Sequence, residues 1–80
     1  MAKKRVHLTF PESLIQEPLL YRLATDLNIV TNIRRANVED SYGWVVLEME
    51  APDEILEKGL SYLRDRGVEV NDAEGDAVAG

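Results

Sequence analysis

Two kinds of hydrophobic spacing alternate along this chain, and their order restricts the fold more than any single motif does. Apolar side chains recur at about every second position, as in half-buried strands, in four segments: 4–10, 29–39, 44–50 and 68–71. They recur at helical spacing in two further segments: 17–27 and 51–66. The predicted order along the chain is therefore strand, helix, strand, strand, helix, strand.

Residues with special backbone preferences mark the ends of these segments. Pro18 and Pro52 suit the first turn of a helix, where the amide that proline lacks would have no partner. Asn28 and Gly67 tolerate the left-handed conformation that often ends a helix. The remaining connections are predicted to be a loop at 12–16 and a tight hairpin at 40–43.

This order predicts an α+β domain of the ferredoxin-like βαββαβ type. The two strand–helix units need crossovers and the middle strands form a hairpin, so a four-stranded antiparallel sheet with two helices on one face satisfies all connections. The usual strand order, 4-1-3-2, places the second strand at an edge and leaves the other sheet face open. Eighty residues form one such domain, predicted at 1–71, and the small acidic tail at 72–80 is expected to be disordered.

The second strand, 29–39, breaks its own alternation. In a regular strand Ile33 and Val38 would point to opposite faces of the sheet. An extra residue near Arg34–Arg35 would form a bulge and place Ile33, Ala36 and Val38 toward one core. Because local irregularities often coincide with functional sites, this strand is the first candidate for one.

Charge and composition exclude several classes of function. The net charge of −6 argues against a general nucleic-acid binder, which needs a basic face. The absence of cysteine excludes disulfides, thiolate metal sites and cysteine nucleophiles in this chain. No apolar run approaches the roughly 18 residues of a membrane span, and the N-terminus does not resemble a signal peptide. The sequence therefore predicts a cytoplasmic protein.

The open sheet face carries two apolar residues among polar ones. The predicted members of this face are Arg5, His7, Thr9, Arg35, Trp44, Val46, Glu48 and Glu69. Trp44, Val46 and Arg35 are candidates for an interface, since an apolar patch on a sheet face suggests self-association or a protein partner. Alternatively, Trp44 and Val46 pack under neighbouring long side chains.

Few residues are candidates for chemistry. His7 is the only histidine, and no serine, cysteine or paired carboxylate is placed to complete a catalytic group with it, so no enzyme is predicted. No metal site or cofactor is predicted either, because the carboxylates are scattered along the chain. The pair Arg34-Arg35 would either hold an anion or protect an edge strand against aggregation.

Five short segments follow one another along the chain: VHLTF, Glu17-Pro18-Leu19-Leu20, Asn32-Ile33, Tyr42-Gly43 and LSYLRDRGVEV. In this order and at this spacing they resemble the NIL domain, a small module at the C-terminus of methionine-importer ABC ATPases that also occurs as free-standing proteins. The resemblance covers residues 4–71. The Asn-Ile-Leu triplet that names the family appears here as Asn32-Ile33-Arg34, and Ala36 replaces a frequent glycine.

The resemblance implies a non-enzymatic regulatory domain that pairs into a homodimer and senses an amino acid. It makes Asn32 the first candidate for ligand contact, with Ile33 and Arg34 beside it. An amide offers both a donor and an acceptor to an amino acid. Arg34 in place of leucine favours a more acidic or polar ligand than methionine. The alternative is an interaction or oligomerisation module that binds no small molecule.

Overall fold

The computed structural model describes residues 1–15, 17–39 and 41–73. Its elements, in chain order, are β1 (Ala2–Pro11), α1 (Glu12–Ile15), α2 (Leu19–Asp26), β2 (Val30–Val38), β3 (Tyr42–Ala51), α3 (Asp53–Arg66) and β4 (Glu69–Asp72). The predicted strands and the two main helices are all present. The connecting loop predicted at 12–16 is wrong for its first four residues, because Glu12–Ile15 forms one helical turn that buries Leu14 against the core.

The four strands form one antiparallel sheet in the order β2-β3-β1-β4. This is the predicted ferredoxin-like arrangement, and it confirms that β2 lies at an edge of the sheet. The register places Val6 of β1 and Ile33 of β2 on either side of Leu47 in the central strand β3. Side chains at these three positions therefore point to the same face, the face that carries the helices.

The core lies between that sheet face and the helices. Among the described residues it contains no buried polar or charged side chain. Gly59 allows α3 to lie close to its neighbours, because a Cβ atom at this position would stand 2.6 Å from the Cδ1 atom of Ile29. Leu8, Leu23, Leu47, Met49, Leu60 and Leu63 are among the fully buried side chains.

The two predicted left-handed residues end their helices. Gly67 follows α3 with φ of 102°, and its N–H donates to the Arg64 carbonyl oxygen at 3.0 Å. Asn28 follows α2 with φ of 56°. These positions explain why the chain reverses toward β4 and β2 after each helix.

The last strand ends one residue beyond the segment predicted for it, 68–71. Strand β4 continues to Asp72, and Ala73 is buried, with its N–H donating to the Arg5 carbonyl oxygen at 3.0 Å. The rest of the predicted disordered tail, 74–80, lies outside the described residues. Within the described ranges, no helix has the length and apolarity needed to cross a membrane.

Candidate functional site

Strand β2 contains the predicted bulge. Ile33 pairs with Leu47 and Arg35 pairs with Val46, so Arg34 is the extra residue between two otherwise regular stretches of ladder. Beyond the bulge, Ala36 pairs with Val45, whose side chain belongs to the core. The bulge therefore places Ala36 and Val38 on the same face as Ile33, as predicted.

These residues nevertheless do not enter the core. Ile33 is 57% exposed and Val38 is 64% exposed, and β2 contributes no buried side chain. The prediction that they pack into the core is wrong in this respect. The core takes its strand residues mainly from β1 and β3. Although α2 contacts β2, the side chains of Ile33 and Val38 remain largely exposed on the helix side of the sheet.

The triplet Asn32-Ile33-Arg34 spans the bulge and does not converge on one pocket. Asn32 pairs with Glu48 and faces the open side of the sheet, whereas Ile33 faces the helix side. Arg34 occupies the bulge, and all three side chains are exposed. The site that they form is thus an accessible strand edge, whose outward backbone groups pair with no other strand of this sheet.

On the open face, Trp44 is held between β1 and β2. Its indole ring stacks on the His7 imidazole with ring centroids 5.3 Å apart and an interplanar angle of 17°. The Cζ atom of Arg35 lies 5.9 Å from the centroid of the Trp44 ring, close enough for a cation–π interaction. Val46, which pairs with both His7 and Arg35, is only 8% exposed. A partner protein would therefore touch mainly the half-exposed Trp44 rather than Val46.

An ion pair lies next to Asn32 on the same open face. Arg5 donates from Nη2 to Glu48 Oε2 at 3.2 Å, and Glu48 is the residue with which Asn32 pairs. Both charged side chains are partly exposed, so the pair contributes little to stability. It does fix an acidic group beside the Asn32 amide.

A comparison with models of protein families matches the NIL domain over residues 4–72. The chain belongs to the NIL domain family. Among solved structures, this NIL domain is similar to the C-terminal domain of an ABC transporter ATP-binding protein from Enterococcus faecalis, with a TM-score of 0.76 and 16% sequence identity. That alignment covers 89% of this chain and 83% of the other.

The fold also resembles a de novo designed protein, Ferredog-Diesel, with a TM-score of 0.54 and 17% identity over 88% of this chain and 82% of the designed one. At such identities both likenesses concern the fold alone. A search of curated proteins finds no match.

The NIL domain also contains an apolar groove that is not predicted from the sequence. It lies between the start of α2 and the hairpin end of β2 and β3, with a volume of about 250 Å³. Its walls come from segments that are distant in the sequence, so no local sequence pattern indicates it. The lining residues are Phe10, Leu14, Glu17, Pro18, Leu19, Leu20, Tyr21, Val38, Gly43, Trp44 and Val45.

Glu17 is the one charged side chain among the described lining residues, and it accepts a hydrogen bond from Arg66 at the end of α3. This bond and the charge of Glu17 raise the pKa of Arg66 further above its ordinary value. Among the described residues, no group of three or more histidine or carboxylate side chains is placed to hold a metal ion.

Proposed function

We propose that this NIL domain is a non-enzymatic regulatory module that binds a small amino-acid ligand at β2 and acts as a homodimer on a partner protein. The observation that carries the proposal is that Asn32-Ile33-Arg34, which stand where the resemblance places the triplet that names the family, lie at the bulge of an exposed edge strand. The similar Enterococcus faecalis domain belongs to an ABC transporter ATP-binding protein, which supports a transporter ATPase as the class of partner.

The three side chains of the triplet offer different groups to a ligand. The Asn32 amide supplies a donor and an acceptor, and the Arg34 guanidinium supplies a cation that can hold a carboxylate by two parallel hydrogen bonds. Ile33 adds an exposed apolar surface. This combination suits an amino acid with a polar or acidic side chain better than a purely apolar one.

A homodimer through the edge of β2 would place the triplets of the two chains side by side. A second copy would pair with the exposed strand edge and set one of its own side chains beside Ile33, which a single chain leaves largely in water. The same pairing would place two Arg34 side chains near each other, and their charges would repel. An anionic ligand bound between them offsets that repulsion, so ligand binding would favour the dimer.

The alternative function is an interaction module without a small-molecule ligand. The half-exposed Trp44, with His7 and Arg35 stacked near it, supports this second possibility. Such a module would use the open sheet face, and its oligomeric state would be independent of any metabolite.

Native mass spectrometry of the protein purified from its own cells distinguishes these functions. We expect a mass of two chains plus a small molecule that denaturation releases. The Asn32→Ala protein, purified in parallel, should lose the small molecule. A dimer that carries no metabolite would support the alternative, and a bare single chain in both preparations would contradict the proposed function.

A further inference from the structure

The apolar groove between α2 and the β2–β3 hairpin has the properties of a second binding site. At about 250 Å³ it is smaller than the roughly 300–1,000 Å³ of sites for drug-sized ligands, so its occupant is small. The predominantly apolar walls offer water few hydrogen-bond partners, so an apolar group displaces water from the groove favourably.

The floor and the mouth of the groove have different characters. Phe10, Leu14 and Val45 are buried and form an apolar floor, and Gly43 leaves space because it has no side chain. Val38 is exposed and borders the groove from the edge strand. A ligand can therefore enter from the side of β2 and place its apolar body on residues that are already packed.

The charge on the wall of the groove determines which polar group a ligand can carry at the end opposite its apolar body. Among the described lining residues, Glu17 is the only charged group, and its side chain retains a relative exposure of 32%. Arg66 donates to Oε1 of Glu17, which leaves the second carboxylate oxygen available to another donor. We infer that the groove binds a small molecule that carries a primary ammonium group on an apolar body, with the ammonium group on Glu17.

This site is separate from the signature triplet. Asn32 faces the open side of the sheet, whereas the groove lies on the helix side and reaches β2 only at Val38. In register, Asn32 and Val38 pair with Glu48 and Gly43, which are five residues apart on β3, a distance of about 17 Å at roughly 3.3 Å per residue. The groove also lies within one chain, so its occupation needs neither a dimer nor the Asn32 amide.

Amide NMR spectra with two matched probes test the inference directly. Isopentylamine and isocaproate share the same branched apolar body and differ in the charge of the polar end. We expect isopentylamine to shift the amide resonances of Gly43 and Leu20, and isocaproate to bind at least about fivefold more weakly. Glu17→Gln should weaken amine binding roughly two- to fivefold, the range typical of an exposed ion pair. Arg66→Gln removes the hydrogen bond to the Glu17 carboxylate and should strengthen amine binding.

Two exposed valines of β2 provide a matched steric control. Val38→Phe narrows the mouth of the groove and should abolish the Gly43 shift, whereas Val30→Phe, on the opposite face of the same strand, should leave it unchanged. Both positions are more than half exposed, so neither change should unfold the domain. Equal binding of the two probes, or binding unaffected by Val38→Phe, would overturn the inference. Neither result would bear on Asn32, whose role is tested by ligand retention.

Discussion

Leu47→Ala is expected to lower the free energy of unfolding by about 2–5 kcal/mol, the range for deleting a large side chain from a packed core. Leu47 is fully buried at the centre of the sheet, between Val6 and Ile33 in register. A domain of this size is expected to have a total stability of roughly 4–12 kcal/mol. The variant should therefore melt far earlier than the wild type, or fail to fold, in urea titrations followed by circular dichroism.

Ile33→Ala is the matched control for this prediction. Ile33 pairs with Leu47 and points to the same sheet face, but it is 57% exposed. At low protein concentration Ile33→Ala should lower the free energy of unfolding by less than about 1 kcal/mol, as for other surface substitutions. If Ile33→Ala destabilised the dilute protein as much as Leu47→Ala, the edge strand would be covered within one chain, and the description of β2 as an uncovered edge would be wrong.

Deletion of Arg34 is expected to abolish ligand binding while the fold persists. Arg34 is the extra residue of the bulge, so its removal leaves Ile33 opposite Leu47 and Arg35 opposite Val46 in a regular ladder. Every remaining β2 side chain keeps its face, and the unfolding free energy should change by less than about 1 kcal/mol. The proposed site loses both the guanidinium group and the local bend that separates Asn32 from the rest of the strand.

Arg34→Ala separates these two contributions, because it removes the charge and keeps the extra residue. We expect it to weaken binding of a carboxylate ligand without eliminating it, as measured by calorimetry on both variants. A deletion variant that binds ligand normally would show that the bulge has no role in recognition. A deletion variant destabilised by several kcal/mol would instead contradict the assigned register.

The sequence predicts those parts of the fold that depend on local spacing. The order of elements, the edge position of β2, the bulge at Arg34 and the left-handed residues after both main helices all follow from periodicity and from residues with special backbone preferences. The face on which Ile33 and Val38 lie was predictable for the same reason, because parity along a strand determines it.

Burial was harder to predict than direction. Parity shows which face Ile33 points to, but not whether a helix extends over that part of the sheet, and here none covers it. The opposite holds for Val46. Its position in the strand places it on the open face, where exposure would be expected, but its side chain is buried among its neighbours. Both outcomes depend on tertiary packing, which a single strand pattern does not record.

The candidate sites also include one that the sequence points to and one that it does not. The choice of Asn32-Ile33-Arg34 as the candidate site follows from the resemblance to NIL domains. The family match confirms that resemblance, whereas the role of these three residues stays a prediction. The groove at Glu17 could not be predicted, because its walls come from β1, α1, the start of α2 and the β2–β3 hairpin. Only the packed fold brings these segments to one place.

Calorimetric titration of the protein, at a concentration at which it is dimeric, with each of the twenty amino acids tests the central claim, that the irregular edge strand is a ligand-sensing site, most directly. We predict binding heat with at least one polar or acidic amino acid. Asn32→Ala should weaken that binding at least about tenfold, corresponding to roughly 1.4 kcal/mol. Asn37→Ala, a change of the same type on the same face of β2, should preserve it. No heat with any amino acid, or equal loss in both variants, would contradict the claim.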